Sequence, residues 1–193
     1  MKLILATNNP HKCREIKSIL GDFFTEIYSM KEIGLNIDIE ENGQTFFENA
    51  KIKADEVCRL TGMAALADDS GLCVDALNGQ PGIYSARYAG KEQNDDKNID
   101  KLLTALKNEK NRNAYFVTAL VLAYPSGTHI EVEGKTFGKI TEKRMGNGGF
   151  GYDPVFYSDE LNKTFGECSE TEKNSVSHRA KALENLKITL SSL

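Results

Sequence analysis

The chain has 193 residues, 40% of them hydrophobic and 27% charged, with a formal net charge of −4. That length carries one well-buried domain and is short for two ordinary ones. An acidic balance argues against non-specific nucleic-acid binding, which needs a basic footprint, so any polyanionic ligand must be met by local positive charge.

In chain order, Leu3–Ala6 reads as a buried strand, followed by Thr7-Asn8-Asn9-Pro10-His11-Lys12 and a helix through Cys13, Ile16, Ile19 and Leu20. Asn9 before Pro10 predicts an N-cap with proline at the first helical position, and Gly21 ends the helix. A strand–turn–helix start leaves backbone N–H groups facing a potential phosphate. Lys12 opposes the dipole in that first turn, a conflict a bound anion would relieve; a solvated surface lysine is the bland alternative. Thr25–Ser29 reads as a second strand. Thr45 to Glu48 reads as a capping box opening a helix that ends at Gly62. Lys53 falls inside that helix's apolar arc of Phe46, Ala50, Ala54 and Val57, where a lysine either snorkels or serves a function.

Two short apolar runs, Ala64–Ala67 and Leu72–Val74, enclose Asp68-Asp69-Ser70-Gly71. They predict two strands, with the aspartates at a strand end beside the core. Carboxylates there need a cation, donors or a metal, unless the segment is a plain Asx turn. Further on come a helix over Asn94–Lys107, a long strand over Tyr115–Tyr124, a turn at Pro125–Gly127 and a pair of strands within Ile130–Ile140. Gly146 to Gly151 matches G-x-G-x-x-G, but Pro154 and the apolar Val155-Phe156-Tyr157 predict a strand after it, which excludes a dinucleotide fingerprint. The glycines instead allow close backbone approach to a ligand around Phe150, or form a bare loop. Ser177 caps a last helix with Ala180, Leu183, Leu186 and Leu190 on its apolar side and His178 and Arg179 in its first turn; Lys173 lies just upstream. No apolar run exceeds strand length, so no membrane partner is expected. The four cysteines lack C-x-x-C spacing and read as reduced thiols of a cytoplasmic chain.

Taken together, Thr7–Lys12, Glu40-Glu41-x-Gly43-x-Thr-Phe46, Glu48-Asn-Ala50, Lys53-Ala54, Ala67–Gly71, Pro81–Gly90, Phe150–Pro154 and Glu172-Lys-Asn-x-x-Ser-His-Arg179 closely resemble, in order, the inosine/xanthosine triphosphate pyrophosphatases. The resemblance spans residues 3 to about 190; Asn8 stands where many members carry glycine. It implies an α/β fold with an elongated mixed sheet flanked by helices, and two lobes about a deep nucleotide-binding cleft within a single domain of residues 1–193. It also implies a homodimer and hydrolysis of ITP, dITP or XTP to monophosphate and pyrophosphate. By the same resemblance, Thr7, Asn8, Asn9, Pro10, His11 and Lys12 meet the phosphates. Glu40 and Asp69 hold Mg²⁺, and Asp69 is also the proton acceptor. Lys53, Ser70 and Lys173 contact substrate, while Phe150, Gly151, Tyr152, Asp153, His178 and Arg179 hold the base and its surroundings. These implications suit the residues. A triphosphate carries about four negative charges, which lysines and a helix N-terminus can meet, and Mg²⁺ takes few protein carboxylates.

Overall fold

A computed structural model describes residues 1–192, and of His11 the backbone alone. Its elements are β1 (Lys2–Leu5), α1 (Pro10–Leu20), β2 (Glu26–Ser29), α2 (Phe46–Thr61), β3 (Ala64–Val74), α3 (Asp95–Ala105), β4 (Asn113–Ala123), β5 (His129–Ile140), β6 (Phe156–Ser158), β7 (Lys163–Thr164), α4 (Glu170–Val176) and α5 (His178–Ser191). The described strands form a seven-stranded sheet in the order β2-β1-β3-β4-β5-β6-β7. Strand β1 runs parallel to β2 and β3, while β5–β6 and β6–β7 are antiparallel. The fold is therefore α/β with a mixed sheet.

The chain packs as two compact units: one of Met1–Asp69, Thr118–Gly134 and the residues from Ala180, the other of Ser70–Val117 and Lys135–Arg179. In the first, alternate strand residues face opposite ways. Leu3, Leu5, Leu66, Leu120 and Leu122 pack with Ile16 and Leu20 of α1 and Leu183 and Leu186 of α5. Ile4, Ala65, Ala67, Val121 and Ala123 pack with Ala50, Ala54 and Val57 of α2. Small side chains on both sides of that second contact let α2 lie close to the strands. In the second unit, Ile99 and Leu102 of α3 share a core with Leu72, Val74, Ala114, Phe116, Phe156 and Phe165. Phe116 and Phe156 rings meet at 4.7 Å, tilted 58°.

Helix ends follow the sequence closely. Asn9 Oδ1 accepts from the Lys12 N–H at 3.3 Å ahead of Pro10, and Asn94 Oδ1 accepts from the Lys97 N–H at 3.0 Å. Thr45 Oγ1 accepts from the Glu48 N–H at 3.1 Å, but the Glu48 carboxylate accepts from Gln44, not Thr45, so the expected capping box is completed one residue early. Gly62 closes α2 at φ +66°, a left-handed conformation suited to glycine.

Two expectations are corrected, and one element is added. The two strands around Asp68–Gly71 are one continuous strand, β3, because the segment stays extended and its polar side chains find partners instead of turning the chain. The expected pair within Ile130–Ile140 is likewise one strand, β5. Helix α4 is an element the apolar pattern hides: it buries no residue, and a capping box between Ser169 and Glu172 starts it. Among the described residues no helix is long and apolar enough to cross a membrane.

Candidate active site

The two adjacent aspartates of β3 are held apart by the pleat, since successive strand side chains point to opposite faces. Asp68 is 4% exposed and meets Lys12 Nζ at 2.8 Å. A protein carboxylate thus supplies the anion that the Lys12 charge in the first turn of α1 calls for. Asp69 turns the other way, where Asn49 Nδ2 donates to its Oδ2 at 3.1 Å. Burial raises the Asp69 carboxyl above the ordinary aspartate range; the Lys53 ammonium and the Asn49 amide oppose this, while Glu41 and Asp68 reinforce it.

Lys53 does not snorkel. Its side chain is 13% exposed and pairs with Glu41 Oε1 at 3.1 Å, beside Asp69. Glu40 is exposed and points elsewhere: with Asp38, Asp55, Glu56 and Arg59 it lines a cavity of about 580 Å³ floored by isoleucines. Among the described residues no three His, Cys, Asp or Glu side chains gather as a metal cage. Asp69 with Glu41 close by offers the small number of carboxylates that Mg²⁺ uses when phosphate oxygens and water complete its shell, and Glu40 joins them only if its side chain turns in from the cavity.

At the start of α1, Thr7 Oγ1 accepts from the Asn9 N–H at 3.2 Å, which shapes the turn ahead of Pro10. The Asn8 side chain leaves this turn: its Oδ1 accepts from the Lys31 N–H at 2.9 Å, tying the loop to the 3₁₀ turn Lys31–Ile33. Asparagine there therefore has a structural use. The His11 side chain, expected among the phosphate contacts, lies outside the described ones.

In the second unit, Ser70 follows on β3, half-buried. The loop from Phe150 to Asp153 is tied down from several sides. Phe150 N–H donates to Asp153 Oδ2 at 2.9 Å, Gly151 N–H donates to Asp95 Oδ2 at 2.7 Å, and Tyr152 OH donates to the Ser85 carbonyl at 2.8 Å. A Cβ on Gly149, at φ +76°, would sit 2.1 Å from Asp153 Oδ2, so only glycine lets that carboxylate close on the loop. Asp153 is buried and paired with Lys173 of α4; burial raises its carboxyl and the lysine opposes that. Lys173 Nζ also lies 4.3 Å from the centroid of the Phe150 ring, which is 56% exposed. His178 and Arg179 are buried at the start of α5, the His178 ring stacked on Phe116 at 4.8 Å.

The expected residues thus fall into two assembled groups. Thr7–Lys12, Lys53 and Asp69 belong to the first unit; Ser70, Phe150–Asp153, Lys173, His178 and Arg179 belong to the second. Within the first, Glu41 and not Glu40 reaches the Asp69–Lys53 cluster. Asn49, Asp95 and Ser85 carry weight that sequence reasoning gave none of them. Asn49 offered a signal, as a polar residue between apolar positions of α2, whereas Asp95 looks like any acid in a helix's first turn.

A mixed α/β sheet bearing a half-buried aspartate, a paired lysine and a helix N-terminus defines a protein equipped to hold an anionic ligand and accept a proton beside it. The sequence profile of the Ham1 family matches residues 3–189, and the chain belongs to that family. It is 51% identical over 197 aligned residues to the dITP/XTP pyrophosphatase of Clostridium perfringens, covering 98% of this chain and 97% of that one. It is 48% identical to the dITP/XTP pyrophosphatase of Desulfotalea psychrophila, covering 96% and 83%. Among solved structures, the Staphylococcus aureus Ham1 protein superposes with a TM-score of 0.93 at 39% identity, covering 100% of this chain and 99% of that one. A nucleoside-triphosphatase / dITP/XTP pyrophosphatase from Mycobacterium abscessus gives 0.82 at 40%, covering 96% and 97%.

Proposed function

We propose that this chain hydrolyses deaminated purine nucleoside triphosphates (ITP, dITP and XTP) to the monophosphate and pyrophosphate. The observation that carries the reading is Asp69, half-buried on β3 with its proton affinity raised, one oxygen taken by Asn49 and Lys53 beside it. A carboxylate so held can orient an attacking water and take its proton as the phosphorus–oxygen bond forms. The full-length relatives named dITP/XTP pyrophosphatase support the substrate class.

In this reading, Thr7–Lys12 lie against the phosphates, and Lys12 leaves Asp68 for a phosphate oxygen. Lys53 leaves Glu41 for a phosphate oxygen, and Ser70 and Lys173 add polar contacts. Phe150 offers its exposed ring to the purine, with Tyr152 and Asp153 fixing the loop and His178 and Arg179 completing the surroundings. Asp69 would hold Mg²⁺, with Glu40 turning in from the neighbouring cavity to join it. When bound, that ion neutralises charge on the transferring phosphoryl group and lowers the proton affinity of water. Phosphoryl transfer asks little beyond positioning and charge neutralisation, so no histidine or cysteine nucleophile is needed. The enzyme works as a cytoplasmic homodimer.

The test is a panel of ITP, dITP, XTP, ATP and GTP assayed for orthophosphate with and without added inorganic pyrophosphatase. Orthophosphate released only with the auxiliary enzyme, and mainly from the first three nucleotides, is expected. Orthophosphate released without it would place the cleavage at a different bond and overturn the reading.

A further inference from the structure

Two stretches that resemble the family, Glu40–Gly43 and Glu48–Ala50, contain residues to which the chemistry above gives no role of their own: Gly43 and Asn49. Asn49 is 1% exposed in the second turn of α2. Its side chain makes two hydrogen bonds in opposite senses. Oδ1 accepts from the Gly43 N–H at 2.9 Å, and Nδ2 donates to Asp69 Oδ2 at 3.1 Å. The chemistry of the partners fixes this orientation, because a backbone N–H can only donate and an ionised carboxylate can only accept. Flipping the amide would break both bonds at once.

Gly43 is required for a different reason from most glycines. A Cβ built there would lie 2.7 Å from Glu48 Cβ, 2.8 Å from Asn49 Oδ1 and 3.0 Å from Asn49 N. The loop can approach the start of α2 closely enough to donate to Asn49 only if residue 43 has no side chain. Asparagine and glycine therefore form one device.

We propose that Asn49 is a positioning residue for Asp69, and that Gly43, Asn49 and Asp69 form a relay locking the glutamate-bearing loop Glu40–Gly43 to the orientation of the Asp69 carboxylate. The relay rests on Asp69 being the proton acceptor. It occupies one oxygen of Asp69 with a neutral donor, which restrains rotation of the carboxylate about its last bond, and it sets how closely the loop, with Glu41, approaches that carboxylate. An aspartate at 49 could not donate and would place like charges together. An alanine would make neither bond.

The experiment is steady-state kinetics of Asn49→Ala, Asn49→Asp, Gly43→Ala and the Gly43→Ala/Asn49→Ala double variant with ITP at saturating Mg²⁺, beside Asp69→Asn. Losing an outer positioning bond typically costs about 10–100-fold in activity. The expected result is a kcat lowered by about that factor in Asn49→Ala and Asn49→Asp, with KM for ITP within about 3-fold of wild type. Gly43→Ala is expected to lower kcat in the same direction. Because both act through one chain of bonds, the double variant should be no worse than the poorer single one. A merely structural Asn49 would lower the thermal midpoint while leaving kcat of the folded enzyme unchanged, which overturns the proposal. So would multiplying losses in the double variant. Should Asn49→Ala not fold, Gly43→Ala keeps every polar group and carries the test alone. Asp69→Asn separates the two levels: near-normal turnover in that variant refutes Asp69 as the base, whereas an inactive Asp69→Asn beside a fully active Asn49→Ala refutes only the relay.

Discussion

Lys53 and Glu41 pair beside Asp69 with little exposure of the lysine, which makes Lys53→Met a sharp test at the level of single residues. Methionine restores the apolar arc of α2 but strands the Glu41 charge. Glu41 keeps enough solvent contact to hold that cost below about 1 kcal/mol. The thermal midpoint should therefore shift little, while kcat/KM for ITP falls by about 10–100-fold through loss of a charge-assisted phosphate contact. Unchanged kinetics would return Lys53 to a packing role. The metal set can be split in the same way. Glu40→Gln is expected to raise the Mg²⁺ concentration for half-maximal rate by about 10-fold, with Glu41→Gln leaving it near wild type. The reverse pattern would give the second ligand to Glu41, the glutamate that lies nearer Asp69 here. Asp69 and Lys53 were legible in the sequence because each breaks a local rule, one as a carboxylate against a buried strand and the other as a charge in an apolar arc. Asn49 was not legible, since its meaning lies in a contact with a residue 20 positions away.

At the scale of elements, caps and carboxylate clamps hold the pieces that carry these side chains. Thr45→Ala removes the acceptor for the Glu48 N–H at the start of α2 and should cost about 1 kcal/mol in chemical denaturation; no loss would mean that the Gln44–Glu48 bond caps the helix alone. Glu32 accepts from Lys17 Nζ, the Ser29 N–H and Ser29 Oγ, which holds its carboxyl down at about 2. A depressed carboxyl stabilises the fold above the unfolded glutamate pKa of about 4.3 and loses that contribution as pH falls toward the folded value. The gap in thermal midpoint between wild type and Glu32→Gln should thus be full at pH 7 and shrink steadily below pH 4. A gap independent of pH would assign the effect to packing. Helix boundaries were readable because Asn9, Thr45, Gly62 and Asn94 act within one turn. The continuity of β3 was not. Asp, Ser and Gly favour turns by local chemistry, and partners from distant elements, Lys12 and Asn49 among them, make the extended path through Asp68 and Asp69 affordable.

For the molecule as a whole, the α/β class was legible from alternating apolar runs and amphipathic helices. The ordered set of short stretches identified the family, though each alone is weak. What no local pattern supplies is how an enzyme for deaminated purine nucleotides would refuse ATP and GTP. Inosine and adenosine differ at purine position 6, an oxygen acceptor against an amino donor. A protein donor aimed there accepts ITP and confronts ATP with a second donor, a mismatch of the kind worth about 10⁴-fold. The loop Phe150–Asp153 is a poor source of that donor, because three of its four backbone N–H groups are already used: Phe150 by Asp153, Gly151 by Asp95 and Asp153 by the Phe150 carbonyl. Arg179, buried at the start of α5, is the better one. GTP matches inosine at position 6 and differs only at position 2, where it adds an amino group. A buried amino group left unsatisfied costs about 1–3 kcal/mol, or roughly 5–150-fold, less than the position-6 mismatch. The wild-type enzyme is therefore expected to hydrolyse GTP faster than ATP and both far more slowly than ITP. Arg179→Ala should lose most ITP activity while narrowing the ITP/ATP ratio of kcat/KM. If wild type cleaved ATP faster than GTP, or if Arg179→Ala kept the full ITP/ATP ratio, discrimination through an Arg179 donor would be wrong.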